Sequence, residues 1–169
     1  MTAQNPTLGQ DGQVFRFDSA ESAYQLAVTM VQQASRALKL VSSDLEKGFY
    51  DREEFIEAVS RLARRHRLAE VRLLIRDVKP LVGQSHALLS LMDRLPSKIS
   101  LRVMHPEYPN SSHSYLLVDS TGVVHRKDPA VYQGFACFND AGRNRQLSEE
   151  FEAMWQRATP SPELRRLSL

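Results

Sequence analysis

The sequence lacks several features that would assign it to a functional class at once. Its single cysteine, Cys137, excludes an internal disulfide framework. Its longest apolar runs fall far short of the roughly 20 residues that a membrane-spanning helix needs. No basic start followed by an apolar stretch and a small-residue cleavage site marks a signal peptide. These absences predict a soluble, cytoplasmic protein with no membrane span.

Motifs that hold metals or nucleotides are also absent. The five histidines show no HExxH spacing and no pairing with cysteine at ligand spacing. Neither GxGxxG nor GxxxxGK[ST] occurs. Cys137 lies among aromatic residues in "GFACFND" with no basic neighbour that would favour a thiolate, so a buried structural thiol is predicted. We therefore expect no metal and no cofactor.

The bulk composition suits one domain with a proper core. The chain has 169 residues, of which 42% are hydrophobic. Residues 1–12 are polar and without periodicity, which predicts a loose tail before a single domain at 13–169. The 22 basic and 20 acidic residues give a formal charge of +2, too small to draw the whole molecule to nucleic acid. Nucleic acid stays open as a ligand only through a local basic patch.

Strand and helix patterns alternate along the chain. Val14–Phe17 predicts a strand, and Asp18 with Glu21 has the spacing of a capping box that opens a helix with apolar positions as far as Leu38. Further strands are predicted at 38–43, 69–77 and 98–105, and further helices at 51–66, 85–94 and 148–157. This order predicts an α/β sandwich in which helices flank a mixed β-sheet.

Two local signals place individual residues. Asp51 and Glu54 have capping-box spacing at the start of a helix. The segments "SYLLVD" and "VVHR" are separated by "STG", which predicts a β-hairpin whose turn uses a positive φ at Gly122. Phe151 and Trp155 lie one helical turn apart and are predicted to pack in the core.

The segment from Leu38 to Asp140 resembles one lobe of the phospholipase D-like superfamily. The resemblance is carried by "LVSSDLEKGFYDREEF", "SSHSYLLVDSTGVVHR" and "GFACFND". In that family one strand carries His-x-Lys-x4-Asp, and a later Gly-Ser-x-Asn turn closes the site. The family chemistry uses a histidine nucleophile, a lysine that binds the phosphoryl oxygens, and a second histidine that protonates the leaving group.

The catalytic motif of that family is degenerate in this chain. Anchoring the pattern on Asp119 puts Ser112 at the histidine position and Ser114 at the lysine position. A shift by one residue makes His113 the nucleophile and Tyr115 the residue at the lysine position, and it turns the opposite face of the strand toward the cleft. Neither register supplies the cation. The resemblance therefore implies a lobe without catalysis, in which His113 and Asp119 are catalytic candidates only if the enzyme is active.

The closing turn departs from the family pattern too. Gly134 matches, whereas Phe135 and Cys137 stand where a serine and an asparagine are usual. Asn139 is a polar neighbour that can still line a cleft. Arg126 follows the hairpin, and beside Ser112 and Ser114 it would keep an anion site without a nucleophile.

Two further candidates lie outside this motif. Arg64 belongs to a group of arginines at a predicted helix end, where cations either hold phosphates or offset the helix macrodipole. His86, near the start of a helix, is predicted to cap or pack, with anion binding as the alternative. The candidates for ligand binding are thus Ser112, Ser114, Asp119, Arg126, Asn139, Arg64 and His86.

The pattern of the whole chain, including "SHALLSLMDRLPSKISLR", also resembles a proteobacterial domain family of unknown function. Its members stand alone or follow a GNAT-type acetyltransferase. We therefore expect a non-catalytic module that binds a phosphate-bearing ligand or a protein partner, with an acetyltransferase as a candidate partner. A single lobe also predicts a symmetric homodimer. The alternatives are an active phosphodiesterase or phosphatidyltransferase that uses His113, and a purely structural interaction domain.

Overall fold

A computed structural model describes residues 5–108, 113–161 and 164, and seven strands in this part of the chain form one sheet. The strands are β1 (Val14–Phe17), β2 (Ala37–Ser42), β3 (Glu70–Ile75), β4 (Ile99–Val103), β5 (Ser114–Val118), β6 (Gly122–Arg126) and β7 (Gly134–Cys137). Their order across the sheet is β1-β7-β6-β5-β2-β3-β4. β2, β3 and β4 are parallel, and all other neighbours are antiparallel. The sheet is mixed, as predicted.

Helices cover both faces of this sheet. They are α1 (Ala20–Gln32), α2 (Lys47–Tyr50), α3 (Glu53–Arg65), α4 (Ala87–Arg94) and α5 (Ala141–Arg157). Residues of α1, α3 and α4 share one apolar core with one face of the sheet, and α5 shares a second core with the other face. The predicted α/β sandwich is confirmed. No helix in the described residues is long and apolar enough to cross a membrane.

Side chains alternate between these two cores along each strand, as strand geometry requires. On β5, Leu116 belongs to the core with α1 and α3, whereas Tyr115 and Leu117 belong to the core with α5. Phe151 and Trp155 of α5 pack in the second core, as predicted, and are 0% and 7% exposed. Both faces are buried at the centre, which explains why the central strands are apolar at almost every position.

Two edges of the sheet matter for function. We call the edge at the carboxyl ends of β2, β3 and β4 the upper edge, and the opposite one the lower edge. Because β5 is antiparallel to β2, Ser114 begins β5 at the upper edge and Asp119 follows it at the lower edge. Five residue steps separate the two residues, which corresponds to about 17 Å along the strand.

The predicted start of α1 is off by one residue. The N-cap is Ser19, whose Oγ accepts a hydrogen bond from the Ser22 N–H at 3.2 Å. Asp18 lies outside the helix. The helix also ends at Gln32, whereas the apolar spacing continued to Leu38 because Leu38 faces the same core from β2.

The capping box predicted at Asp51 is wrong. Arg52 is the N-cap of α3, and no side chain bonds there. Asp51 instead accepts a hydrogen bond from the Ala87 N–H at 2.7 Å, at the beginning of α4. A residue with capping chemistry thus serves a helix that begins 36 positions further along the chain.

The hairpin is confirmed, but the reason given for its glycine is wrong. The positive φ in the turn belongs to Asp119, at +52°. Gly122 is the first residue of β6, and its lack of a side chain leaves room for the side chains packed against it. A Cβ on Gly122 would lie 2.7 Å from Sδ of Met30 and 2.9 Å from Cδ1 of Leu8.

The segment predicted as a closing turn forms strand β7, paired with both β1 and β6. Gly134 is needed because a Cβ there would collide with the carbonyl oxygen of His125. The last helix begins at Ala141, seven residues before the predicted start at Ser148. Its first two turns are polar, so apolar spacing did not reveal them. Asp140 caps the helix by accepting the Arg143 N–H at 3.0 Å.

Candidate functional site

The fold divides the residues predicted from sequence between the two edges. Ser114, His113, Arg126 and His86 lie at the upper edge, where β5 begins and β6 ends. At the lower edge are Asp119, Asn139 and Arg64, since β5, β7 and α3 all end there. Ser112 lies outside the described residues. The predicted residues therefore cannot form one site.

Arg126 is the buried cation of the upper edge. It lies directly opposite Ser114 in the β5–β6 register and is 4% exposed. Its Nη2 donates to Oε1 of Glu46 at 2.7 Å and to the Pro129 carbonyl oxygen at 3.0 Å, and its Nη1 donates to Oε2 of Glu46 at 3.2 Å. Tyr132 donates its hydroxyl hydrogen to Glu46 and places its ring 4.4 Å from the guanidinium carbon. The cation is enclosed by its own protein.

Electrostatics fix Arg126 in the charged state. Burial by itself lowers the pKa of Arg126, but the hydrogen bonds and negative charge of Glu46 outweigh it and raise that pKa overall. Burial also raises the pKa of the neighbouring Tyr50 hydroxyl. The guanidinium is thus a permanent charge that Glu46 neutralises, and a ligand would have to displace Glu46 to reach it.

Ser114, which the sequence motif anchored on Asp119 puts at the lysine position, is 2% exposed. Its Oγ and the Nε of Arg126 have no hydrogen-bond partner among the described residues. A cavity of about 10 Å³ adjoins both side chains and is otherwise lined mainly by aromatic and aliphatic groups. That space holds about one water molecule and is far too small for a phosphate group.

His86 has a capping role, as predicted. Its Nδ1 accepts a hydrogen bond from the Leu88 N–H at 3.1 Å in the first turn of α4. Its Nε2 lies 2.8 Å from the carbonyl oxygen of Leu45, whose φ is +57°. Both ring nitrogens have partners within the protein, and the ring is 3% exposed.

A pair of histidines lies on the other face of the sheet at the same edge. Nδ1 of His113 is 2.9 Å from Nε2 of His125. The His125 ring is stacked against Tyr115 on one strand and Phe135 on another, with ring centroids 6.2 and 5.5 Å away. Burial, followed by the charges of His113 and Arg143, lowers the pKa of His125 to about 4. His125 is therefore neutral at physiological pH.

Two arginines border this pair. Arg76, just after β3, donates a hydrogen bond from Nη2 to the carbonyl oxygen of His113. Arg143 places its guanidinium carbon 4.7 Å from the centre of the Phe135 ring. Its Nε is 3.4 Å from Oδ2 of Asp140, and half of its side chain is exposed. We call the set Arg76, His113, His125 and Arg143 the histidine site.

Of the four residues of this site, only His113 was a candidate from the sequence motif. The signal for His125 lay in the hairpin register, which pairs Tyr115 with His125 and so puts His125 diagonal to His113. No local sequence pattern pointed to Arg76 and Arg143, because only tertiary contacts bring the end of β3 and the start of α5 close to the two histidines. Among the described residues no three His, Cys, Asp or Glu side chains are grouped so as to hold a metal ion.

Asp119 and Arg64, at the lower edge, have structural partners. The Asp119 carboxylate accepts the backbone N–H groups of Ser35, Arg36 and Ala37 at 3.0, 2.8 and 3.0 Å, and so joins the hairpin turn to the start of β2. Arg64 donates to Oγ of Ser60 at 2.6 Å in the last turns of α3. This position suits a cation that offsets the helix macrodipole.

Solved structures with the same arrangement define the class of fold. Nuc from Salmonella typhimurium, a phospholipase D family member, matches with a TM-score of 0.60 and 13% identity over 88% of this chain and 96% of Nuc. NucT from Helicobacter pylori matches with a TM-score of 0.64 and 10% identity over 88% of this chain and 98% of NucT. The fold is thus phospholipase D-like.

A DNA-binding protein shares this fold as well. TrmBL2, an archaeal chromatin protein with a novel mode of DNA binding, matches with a TM-score of 0.61 and 17% identity over 88% of this chain. The match covers 54% of TrmBL2, so the chain spans about half the length of that protein. The chain belongs to the family DUF7931, a domain of unknown function whose profile matches residues 19–167. No curated protein matches it.

Proposed function

We propose that this chain is a phospholipase D-like module that binds a phosphate-bearing ligand without cleaving it. The observation that carries the proposal is the pairing of Ser114 with Arg126. In the register anchored on Asp119 a buried serine stands at the lysine position, and the cation beside this serine is paired with Glu46. Phosphoryl transfer requires a cation aimed at the oxygens on which charge develops. The register anchored on Asp119 does not supply one.

Binding is supported by the fold class and by the charges of the upper edge. Nuc is described as a phospholipase D family member, and TrmBL2 as a chromatin protein that binds DNA. A phosphate-bearing ligand therefore fits this class with or without catalysis. On the α5 face, Arg143 is half exposed and Arg76 is partly buried, so cations face solvent at that edge.

The test combines ligand binding with turnover on the purified full chain. Phosphate monoesters, phosphodiesters, sulfate and chloride are compared for their effect on the melting temperature, because a ligand of the native state stabilises it by mass action. The proposal expects stabilisation by the phosphorylated compounds and no release of nitrophenol from a chromogenic diester. A panel in which no anion differs from chloride would contradict binding.

One observation favours the alternative function, an active phosphodiesterase or phosphatidyltransferase that uses His113. The hydrogen bond between His113 and His125 puts two imidazoles in one lobe, and the family chemistry needs a nucleophile and a proton donor. This alternative expects hydrolysis of the diester that His113→Gln abolishes. It also expects a phosphohistidine that can be trapped by acid quench, whereas the binding module forms none.

The partners predicted from sequence stay predictions. A symmetric homodimer would be detected by sedimentation of the purified chain, with a concentration-dependent shift from one to two copies. An acetyltransferase or another protein partner would be detected by co-purification of the two expressed proteins. Failure of both would restrict the module to small ligands and nucleic acid.

A further inference from the structure

We propose that the histidine site is a proton-dependent oxyanion site, which takes up a proton on the pair His113 and His125 together with a phosphate or sulfate group. The site lies on the α5 face of the upper edge, whereas Ser114 and Arg126 face the opposite core. The inference rests on the proposed function, because it locates the phosphate group of the ligand, and it adds a dependence on pH.

The hydrogen bond between the rings leaves the site ready for an acceptor. Pairing uses Nδ1 of His113 and Nε2 of His125, so Nε2 of His113 and Nδ1 of His125 remain for other partners. When a proton is added, both outer nitrogens become donors while the inner hydrogen bond persists. Because the outer nitrogens lie on the far sides of the two rings, one oxyanion accepts from one of them and from a neighbouring guanidinium, and such charge-assisted hydrogen bonds are the strongest.

The charges around the pair explain why proton and anion bind together. Arg143 acts on His125 and pairs with Asp140, and Tyr115 is stacked against the His125 ring. Arg76, from the end of β3, donates to the carbonyl oxygen of His113, and Glu150 on α5 acts on Arg76 and Tyr115. The positive charges of the two guanidiniums, Arg76 and Arg143, are balanced by the negative charges of the two carboxylates, Asp140 and Glu150. One proton on the histidine pair gives the site a net positive charge, and a dianion then stabilises that proton in turn.

Burial of the histidine pair strengthens the coupling between proton uptake and anion binding. His113 and His125 are partly buried, and Phe135 and Tyr115 cover the two faces of the His125 ring. An imidazolium in such surroundings is unfavourable without a counter-ion, which agrees with the lowered pKa of His125. Binding of an oxyanion supplies the counter-ion and raises the pKa of His125.

The test is calorimetric titration of the full chain with sulfate, which stays a dianion throughout, so any pH dependence belongs to the protein. Titrations are run near pH 5.5 and 7.5, each in two buffers of different ionisation enthalpy. The site predicts uptake of about one proton per sulfate and an affinity that falls about tenfold per pH unit while that proton is taken up. Inorganic phosphate and a phosphate monoester are then compared with sulfate.

Variants assign the proton to the pair. His125→Gln and His113→Gln each abolish proton uptake and weaken sulfate binding about tenfold or more at the lower pH. Glu150→Gln strengthens binding because it removes a carboxylate near Arg76. The control His66→Gln lies at the end of α3 and behaves like the unmodified chain.

The outcomes separate this site from the proposed function. Sulfate binding without proton uptake, or uptake that survives in both histidine variants, overturns the histidine site and leaves the binding module intact. If no oxyanion binds at either pH, both fail. Where a variant does not fold, imidazole NMR of the unmodified chain decides, because the site requires sulfate to raise the pKa of His125.

Discussion

Arg126 and Glu46 form a bidentate ion pair in which Nη2 lies 2.7 Å from Oε1 and Nη1 lies 3.2 Å from Oε2. The two side chains are 5% and 19% exposed. Strand β6 brings this cation beside Ser114, the residue that the motif anchored on Asp119 puts at the lysine position. The positive charge beside Ser114 thus holds the segment after β2 in place.

Removing the carboxylate of Glu46 should destabilise the protein, because the buried guanidinium of Arg126 is then left without a counter-charge. Glu46→Gln is expected to lower the free energy of unfolding by about 2 to 4 kcal/mol, and the double variant Glu46→Gln/Arg126→Met should recover part of that loss. Urea denaturation followed by circular dichroism measures both. The exposed pair of Arg52 with Glu21 serves as the control, since its removal should change little.

Asp119 should prove structural and unrelated to ligand binding. Asp119→Ala removes the acceptor for three backbone N–H groups, and alanine tolerates the positive φ of this position less well than aspartate does, so the change should cost about 1 to 2 kcal/mol of stability. Asp119→Asn keeps one acceptor oxygen and tolerates that φ, so it should cost less. The affinity for sulfate should be unchanged in both. A large loss of affinity without unfolding would place Asp119 in the site.

Two glycines of the sheet should respond differently to alanine. Gly134→Ala drives a Cβ into the backbone of His125 and should destabilise the protein by about 2 to 3 kcal/mol. Gly122→Ala meets the flexible side chains of Met30 and Leu8, which can shift, and should cost about 1 kcal/mol. Thermal denaturation of the two variants in parallel compares them. Equal losses would mean that side-chain repacking does not distinguish the two positions.

The histidine site should make stability depend on pH. The pKa of His125 is about 4 in the folded protein and 6.5 in its unfolded reference, so the unfolded state binds more protons between these values. Stability from this group is therefore present above about pH 6.5 and is lost as the pH falls toward about 4. His125→Gln should flatten the melting temperature against pH in that window, whereas His66→Gln should not. Parallel curves for all three proteins would contradict the burial of His125.

Much of the fold could be predicted because its signals are local. The hairpin of β5 and β6 and the apolar strands β2 and β3 followed from short patterns that tertiary contacts reinforce. The start of α5 could not be predicted, since "AGRNRQ" has no apolar periodicity and its cap, Asp140, acts through one backbone hydrogen bond. The capping box at Asp51 was predicted wrongly because a local signal was present but a distant partner overrode it. The spacing of Asp51 fits a capping box, but the Ala87 N–H competes for its carboxylate.

The site was predictable only in part. Residue spacing in the degenerate motif identified Ser114, and the hairpin register suffices to set Arg126 opposite it. Glu46 carried no signal, because it follows Leu45, whose positive φ depends on contacts in the folded protein such as the His86 hydrogen bond. The neutralised cation, and with it the case against catalysis, became visible only when two segments 80 positions apart were brought together.

The central claim is that this lobe binds a phosphate group and does not cleave it. One measurement tests both halves: phosphorus NMR of a phosphodiester incubated with a stoichiometric amount of the full chain below about pH 6, where the histidine site is expected to accept a proton. The account predicts that the diester resonance broadens, that excess sulfate reverses the broadening, and that its integrated intensity stays constant over days. Growth of a monoester resonance that His113→Gln abolishes, or a resonance unaffected by the protein, would contradict it.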